Sequence, residues 1–177
     1  PAKMFMGDSG SQFLGLLIAA IGIKYFWNVH GGLSPWYRGT ATHFWPTYNL
    51  EPQFTGMTLH NTTSNIDAGD ILHQTACDLN FKDGIHEHAC RNVKYFCDRL
   101  NEILKNLCEQ KIIIGIPQNN KGKLWTNKMW EPSMLKKIYM EFDNNINQYC
   151  IENKLDLRKP KLLSIINLLI LLKIKLN

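Results

Sequence analysis

The sequence predicts an α/β domain, and three observations predict it. A stretch near residue 57 alternates with period two and is followed by a turn and a second extended run. Two later stretches carry apolar residues at helical spacing. The chain has 177 residues, 45% hydrophobic and 20% charged, enough for one folded domain with a buried core.

The elements follow in chain order. Phe13 to Ile23 form a nearly unbroken apolar run closed by Lys24. It is shorter than the ~18–20 residues that span a bilayer, so it reads as a buried helix or a piece of a membrane helix. In the strand at 55–61, Met57 and Leu59 share one face, and Thr58 and His60 the other, which predicts a half-buried strand. Asp67-Ala68-Gly69-Asp70 is a turn, and residues 71–79 read as the partner strand of a hairpin. Farther on, Ile85, Ala89, Val93, Phe96, Leu100, Leu104 and Leu107 fall into one stripe of an amphipathic helix, with Asp83 or Gly84 as its cap. A second helix starts near Pro132, a residue suited to a first turn, with Leu135, Ile138, Tyr139, Phe142, Ile146 and Tyr149 on one side. Gly115-Ile116-Pro117 and Asn119-Asn120-Lys121-Gly122 are loop signals. The apolar tail at 162–172 is too short for a span, and it is expected to pack on the domain or lie on a membrane surface.

Charge and cysteines narrow the class. The net charge of +5 is spread over scattered lysines, which predicts a solvated surface and no nucleic-acid partner. The five cysteines include no C-x-x-C pair, and no signal peptide is visible, so free thiols in a reducing cytoplasm are expected. The chain begins with Pro1, which reads as a fragment. His86-Glu87-His88-Ala89-Cys90 suggests zinc, yet only His86 and Cys90 would share a helix face, and no second pair completes four ligands. No metal is expected there. Neither a Walker-type phosphate loop nor a Ser-His-Asp pattern occurs.

The chemistry is concentrated between residues 27 and 72. Asn28-Val29-His30-Gly31-Gly32-Leu33-Ser34-Pro35-Trp36-Tyr37-Arg38-Gly39-Thr40 is followed by Thr55-Gly56-Met57-Thr58, and then by Asp67-Ala68-Gly69. This series resembles the folate-dependent formyltransferases, which act on methionyl-tRNA, glycinamide ribonucleotide and amino sugars. Asn-x-His, a Pro-containing loop with Arg-Gly, a Thr-Gly-x-Thr strand and Asp-x-Gly occur in the family's order and spacing. The residue types suit the reaction. An amine attacks a formyl carbon, and the oxygen that gains charge needs a donor such as the Asn28 amide. The amine must lose a proton, for which His30 titrates in the right range. Two apart on a strand, Asn28 and His30 point to one face. Asp67 can support the cationic ring.

The resemblance implies Asn28, His30 and Asp67 as the catalytic trio. It further implies Arg38, Gly31, Gly32 and Tyr37 for substrate, with a phosphate for Arg38, and Leu33 and Gly69 for the cofactor. The formyl donor it implies is 10-formyltetrahydrofolate. Trp45-Pro46, His73-Gln74, Asp83-Gly84-Ile85-His86 and Gly122-Lys123-Leu124-Trp125 look like formyltransferases of polysaccharide biosynthesis, so the expected acceptor is a nucleotide-linked amino sugar. The fold implied is the C-terminal part of a Rossmann-like formyltransferase core with a hairpin and packing helices, its N-terminal βα units missing.

Residues 1–23 look different. Met6-Gly7-Asp8-Ser9-Gly10 and Phe13-Leu14-Gly15 resemble the membrane transferases that move a sugar phosphate onto a polyprenyl phosphate, in which the residue at Asp8 is a magnesium ligand. The expected organisation is a membrane-transferase-like segment at 1–24, a partial catalytic core at 25–110, a C-terminal formyltransferase segment at 111–163, and an apolar, basic tail at 164–177. The alternatives to an active formyltransferase are a fragment of that membrane enzyme and a non-catalytic remnant. Membrane contact through 13–23 or 162–172 and a homo-oligomer are left open.

Overall fold

The computed structural model describes residues 26–109, 113–119 and 122–166. The apolar run at 13–23 and Asp8 lie outside the described residues, as does the tail beyond 166.

The described residues form a mixed α/β unit. Strand β1 (Trp27–His30) leads through a glycine-rich loop with a cis Ser34–Pro35 peptide to β2 (Tyr37–Gly39) and α1 (Phe44–Tyr48). The hairpin expected from the alternation is present as β3 (Met57–Asn61) and β4 (Ile71–Thr75). Helix α2 (Ile85–Cys108) follows, then β5 (Lys123–Trp125), α3 (Pro132–Phe142) and α4 (Ile146–Glu152). β1, β3 and β4 make an antiparallel sheet in that order, and β2 pairs with β5 in parallel.

β3 is buried on both faces, not half-buried as its alternation predicts. Met57 and Leu59 pack with Leu72, Phe96, Ile103, Leu107 and Ile165 in the main core. The loop after β1 covers the other face. There the Thr58 hydroxyl donates to the Gly32 carbonyl at 2.7 Å and accepts from the Ser34 N–H at 3.1 Å. Polar residues can face inward here because each finds a partner. The partner strand ends at Thr75, short of the expected residue 79, and the isolated bridges Ile71↔Ile116 and His73↔Ser164 line its outer edge.

The stripe on α2 is also rotated from the sequence expectation. Ile85, Phe96, Ile103 and Leu107 are buried, but so are His88 and Asn92, while Val93 is exposed. Asn92 lies inward because its carbonyl oxygen accepts from the Cys77 N–H at 2.9 Å and its NH2 donates to the His88 carbonyl at 2.9 Å. Gly84 occupies the N-cap but has no side chain to cap with, and Asn144 supplies the acceptor, taking the Ile85 N–H at 3.1 Å.

The second helix divides. Pro132 opens α3 as expected, but Asp143 and Asn144 adopt left-handed φ angles of 47° and 54°, and α4 starts afresh at Ile146. Asp and Asn tolerate this conformation better than most residues. Leu135, Ile138, Phe142 and Ile146 still pack in one cluster with Ile85 and Cys150, whereas Tyr139 and Tyr149 are exposed.

A third cluster is aromatic. Trp125 stacks on Trp45 with ring centroids 4.3 Å apart and on Tyr37 at 5.9 Å. This stack fastens β5 to β2. The tail packs as expected as far as it is described, with Ile165 in the main core and Ser164 bonded to His73. Among the described residues no helix is long and apolar enough to cross a membrane.

Candidate active site

Antiparallel pairing of β1 with β3 sets Asn28 opposite His60 and His30 opposite Thr58. The β3–β4 loop then returns Asp67 over the end of β1. The three residues expected to act together are therefore adjacent in space.

His30 is 5% exposed. Its Nδ1 lies 3.2 Å from Asp67 Oδ2 and its Nε2 lies 2.9 Å from the Tyr37 carbonyl oxygen. Both oxygens accept hydrogen bonds. A neutral imidazole has one N–H and satisfies one of them, whereas the protonated ring satisfies both. Burial pulls the His30 pKa below its ordinary value, against the opposing pull of Asp67 and the Tyr37 carbonyl. The ring is thus neutral at rest but set between two acceptors that stabilise it once it takes a proton.

Asp67 sits in the left-handed region at φ 47°. Its backbone carbonyl accepts from Ser34 Oγ at 3.2 Å and from Gln118 Nε2 at 3.0 Å, and Gln118 also reaches the Gly69 carbonyl at 2.7 Å. Its Oδ2 accepts from the Gly39 N–H at 2.9 Å. Burial disfavours the carboxylate, but the neighbouring His30 ring and the Gly39 N–H favour it, and the carboxyl lies below the usual range. Gly39 has φ 97°, and a Cβ there would run into the Trp125 carbonyl. Glycine is required at this turn.

Asn28 is exposed, with its amide nitrogen 3.2 Å from His60 Nε2 and 3.4 Å from Asp67 Oδ1. It opens onto a cavity of about 790 Å³, lined by β1, by residues of the β3–β4 loop including Thr63 and Ile66, and by 125–128 after β5. That volume lies within the ~300–1,000 Å³ typical of small-molecule sites. A smaller cavity of about 390 Å³ meets His30, Gly31 and Gly39 and is walled by His43, Phe44 and His86.

The remaining residues expected in the site divide. Gly31 lines both cavities. A Cβ on Gly32 would stand 2.6 Å from His30 Nε2, so its smallness makes room for the ring. Tyr37 contributes its carbonyl but not its side chain: the ring stacks in the aromatic core and the hydroxyl donates to Glu51 Oε2 at 2.5 Å. Burial pushes that hydroxyl's pKa up. Arg38 is half-buried, with Nε unpartnered among the described residues, and its charge depresses the His30 pKa. Leu33 is fully buried against Gly56, its carbonyl accepts from the Tyr37 N–H at 3.0 Å, and it lines neither cavity. Gly69 packs against the Asn61 backbone under the loop. No cluster of three or more potential metal ligands occurs among the described residues. The sequence reading missed His60 and Gln118. His60 was legible in part, since it occupies the Thr58 face of a strand that ends where the Asp67 loop begins.

The Asn, the His and the Asp thus stand together beside an open cavity on a mixed α/β unit. Residues 15–93 match the family model described as Formyl transferase. The match begins inside the apolar run at 13–23, ahead of Trp27. Among solved structures, the fold is similar to the formyltransferase PseJ from Anoxybacillus kamchatkensis, in complex with UDP-4,6-dideoxy-4-formamido-L-AltNAc and tetrahydrofolate. The TM-score is 0.51 at 23% identity, over 69% of this chain and 62% of that one. A 4-N formyltransferase from Francisella tularensis matches with a TM-score of 0.44 at 25% identity, over 59% of this chain and 42% of that one. The N-formyltransferase from Helicobacter canadensis, complexed with folinic acid and dTDP-3-aminofucose, matches with a TM-score of 0.47 at 23% identity, over 60% and 39%. The chain spans less than two thirds of the length of these structures.

Proposed function

We propose that the protein transfers a formyl group from 10-formyltetrahydrofolate to the amino group of a nucleotide-linked amino sugar, in the cytoplasm where both substrates would be supplied. The observation that carries this reading is the Asn28–His30–Asp67 cluster at the mouth of the larger cavity. The donor set fits a formyl-bearing ligand: an amide N–H source for an oxygen that gains charge, a buried base, and a carboxylate behind it. Asn28 would donate to the formyl oxygen as the amine adds to the formyl carbon. His30 would take the proton the amine loses, with Asp67 and the Tyr37 carbonyl holding the resulting cation; as the adduct collapses, the bond from the formyl carbon to the donor nitrogen would break and the proton would pass to that nitrogen, releasing tetrahydrofolate and the formamido sugar. Arg38 would attract the acceptor's phosphates, Gly31 would line its approach, and the buried Gly32, Leu33 and Gly69 would serve substrate and donor by shaping the loops around the site.

The test is formyl transfer from 10-formyltetrahydrofolate to a panel of nucleotide-linked 3-amino and 4-amino sugars, with His30→Ala and Asn28→Ala beside the parent chain. Turnover that collapses in both variants is expected. Folded protein that formylates none of the panel would overturn the reading and favour a non-catalytic remnant.

A further inference from the structure

We infer that His60 is a positioning residue: as the neutral ring with its proton on Nδ1, it accepts a hydrogen bond from the Asn28 amide and selects which end of that amide serves the reaction. The inference rests on the proposed formyl transfer for its kinetic meaning, but not for its geometry.

The geometry begins with the backbone. His60 Nδ1 lies 2.8 Å from the Asn61 carbonyl oxygen, an acceptor only, so the ring's proton belongs on Nδ1. Nε2 then presents a lone pair. Asn28 Nδ2 faces it at 3.2 Å across the β1–β3 pair. His60 is 2% exposed, so solvent offers Nε2 little alternative.

An asparagine amide has two ends of nearly equal size and opposite chemistry. An acceptor partner selects the NH2 end, and a donor partner selects the carbonyl end. Asp67 Oδ1, 3.4 Å from Asn28 Nδ2, is a second acceptor. His60 and Asp67 therefore choose the same end, and a turned amide would set its oxygen against both a lone pair and a carboxylate. The Asp67 contact is the longer of the two, so it is the one that gives way to a substrate oxygen, while His60 keeps the amide plane fixed.

A proton on Nε2 would undo this arrangement. Nε2 also lies 3.4 Å from Asp67 Oδ1, and a protonated Nε2 would donate there and repel the Asn28 N–H. The titratable groups around the ring are Asp67, from the β3–β4 loop, and His30 on β1, whose ring centroid lies 6.3 Å from that of His60; the Arg38 charge on β2 acts on His30.

Two substitutions and one spectroscopic measurement test the inference. His60→Leu removes the acceptor, and His60→Gln places an amide oxygen that can replace Nε2. The Leu variant is expected to lose about tenfold to a hundredfold in kcat, part of the loss that follows removal of an oxyanion donor. KM for donor and acceptor should hold within about threefold, since ground-state binding is not at issue. The Gln variant should recover most of the kcat. Full kcat in the Leu variant, or a loss confined to KM, would overturn the inference. Ring 15N shifts read the tautomer without any turnover: His60 should carry its proton on Nδ1, with the Nε2–H form gaining in Asn28→Ala. A dominant Nε2–H form in the parent chain would refute the positioning role, whereas an inactive parent chain with the expected tautomer would count against the formyl-transfer reading alone.

Discussion

His30 presents both ring nitrogens to oxygen, Nδ1 to Asp67 at 3.2 Å and Nε2 to the Tyr37 carbonyl at 2.9 Å. A buried imidazole in that position gains its full set of partners only as the cation. Asp67 is thus tied to any proton that reaches His30, and to the Gly39 N–H that fixes the carboxylate's angle.

Replacing Asp67 with Asn keeps the size and removes the charge. The kcat is expected to fall by about 10²–10⁴, the usual range for a crippled acid–base group. Acid stability should change with it. The Asp67 carboxyl is held below its ordinary value of 3.8, so its contribution is complete above that pH and is lost as pH falls through the lower folded value. Asp67→Asn should therefore flatten the stability curve below about pH 4, as read by urea unfolding across pH.

Gly32→Ala should act on the same ring from the other side. The added methyl would stand 2.6 Å from His30 Nε2 and 2.7 Å from Thr42 Cβ. The ring must leave the Tyr37 carbonyl or the loop must shift, and overpacking of this kind costs about 1–3 kcal/mol. Turnover should suffer more than the thermal midpoint, because the displaced group is the proposed base.

Gln118 holds the loop from beneath, bonding the carbonyls of Asp67 and Gly69. Gln118→Ala removes the donor from the Gly69 carbonyl and leaves the Asp67 carbonyl with Ser34 Oγ alone, at a cost of about 1–3 kcal/mol. Amide hydrogen exchange should accelerate in the β3–β4 loop while α2 stays protected. Equal acceleration in both would contradict this local role.

His88 governs a separate pH response. Burial, aided by the Arg91 charge, brings its pKa from 6.5 down to about 4. The folded protein holds it neutral, so the unfolded chain binds the proton first, and stability is lost as pH falls from 6.5 towards 4. The loss is about 3 kcal/mol if the ring acts alone. His88→Gln should be less stable at pH 7.5, yet should show a shallower decline across that interval.

How much of this was legible in the sequence differs from part to part. The hairpin, the long helix and the Asn28–His30–Asp67 set follow from alternation, spacing and the order of short motifs. The buried side of α2 does not, because His88 and Asn92 face inward by virtue of partners that lie far away in the chain, and hydrophobic periodicity counts them as solvent-facing. The break at Asp143–Asn144 was hidden because the apolar positions stay in phase on both sides of it. His60 needed one more step: only once β1 pairs with β3 does a strand histidine stand opposite Asn28. Tyr37 shows the reverse error, since the motif implicates the residue while the fold uses its carbonyl and commits the ring to the core.

The parallel pairing of β2 with β5 has a consequence for the timing of folding. The Gly39 N–H that orients Asp67 belongs to a strand whose partner contains Trp125, and the Thr40 N–H is taken by the Trp125 carbonyl across 85 positions of sequence. Contacts that distant form late and slowly. On the ribosome, the Asn-x-His strand and its hairpin would emerge long before the segment that braces them, so a nascent chain would hold Asn28, His30 and Asp67 for some seconds without their final geometry.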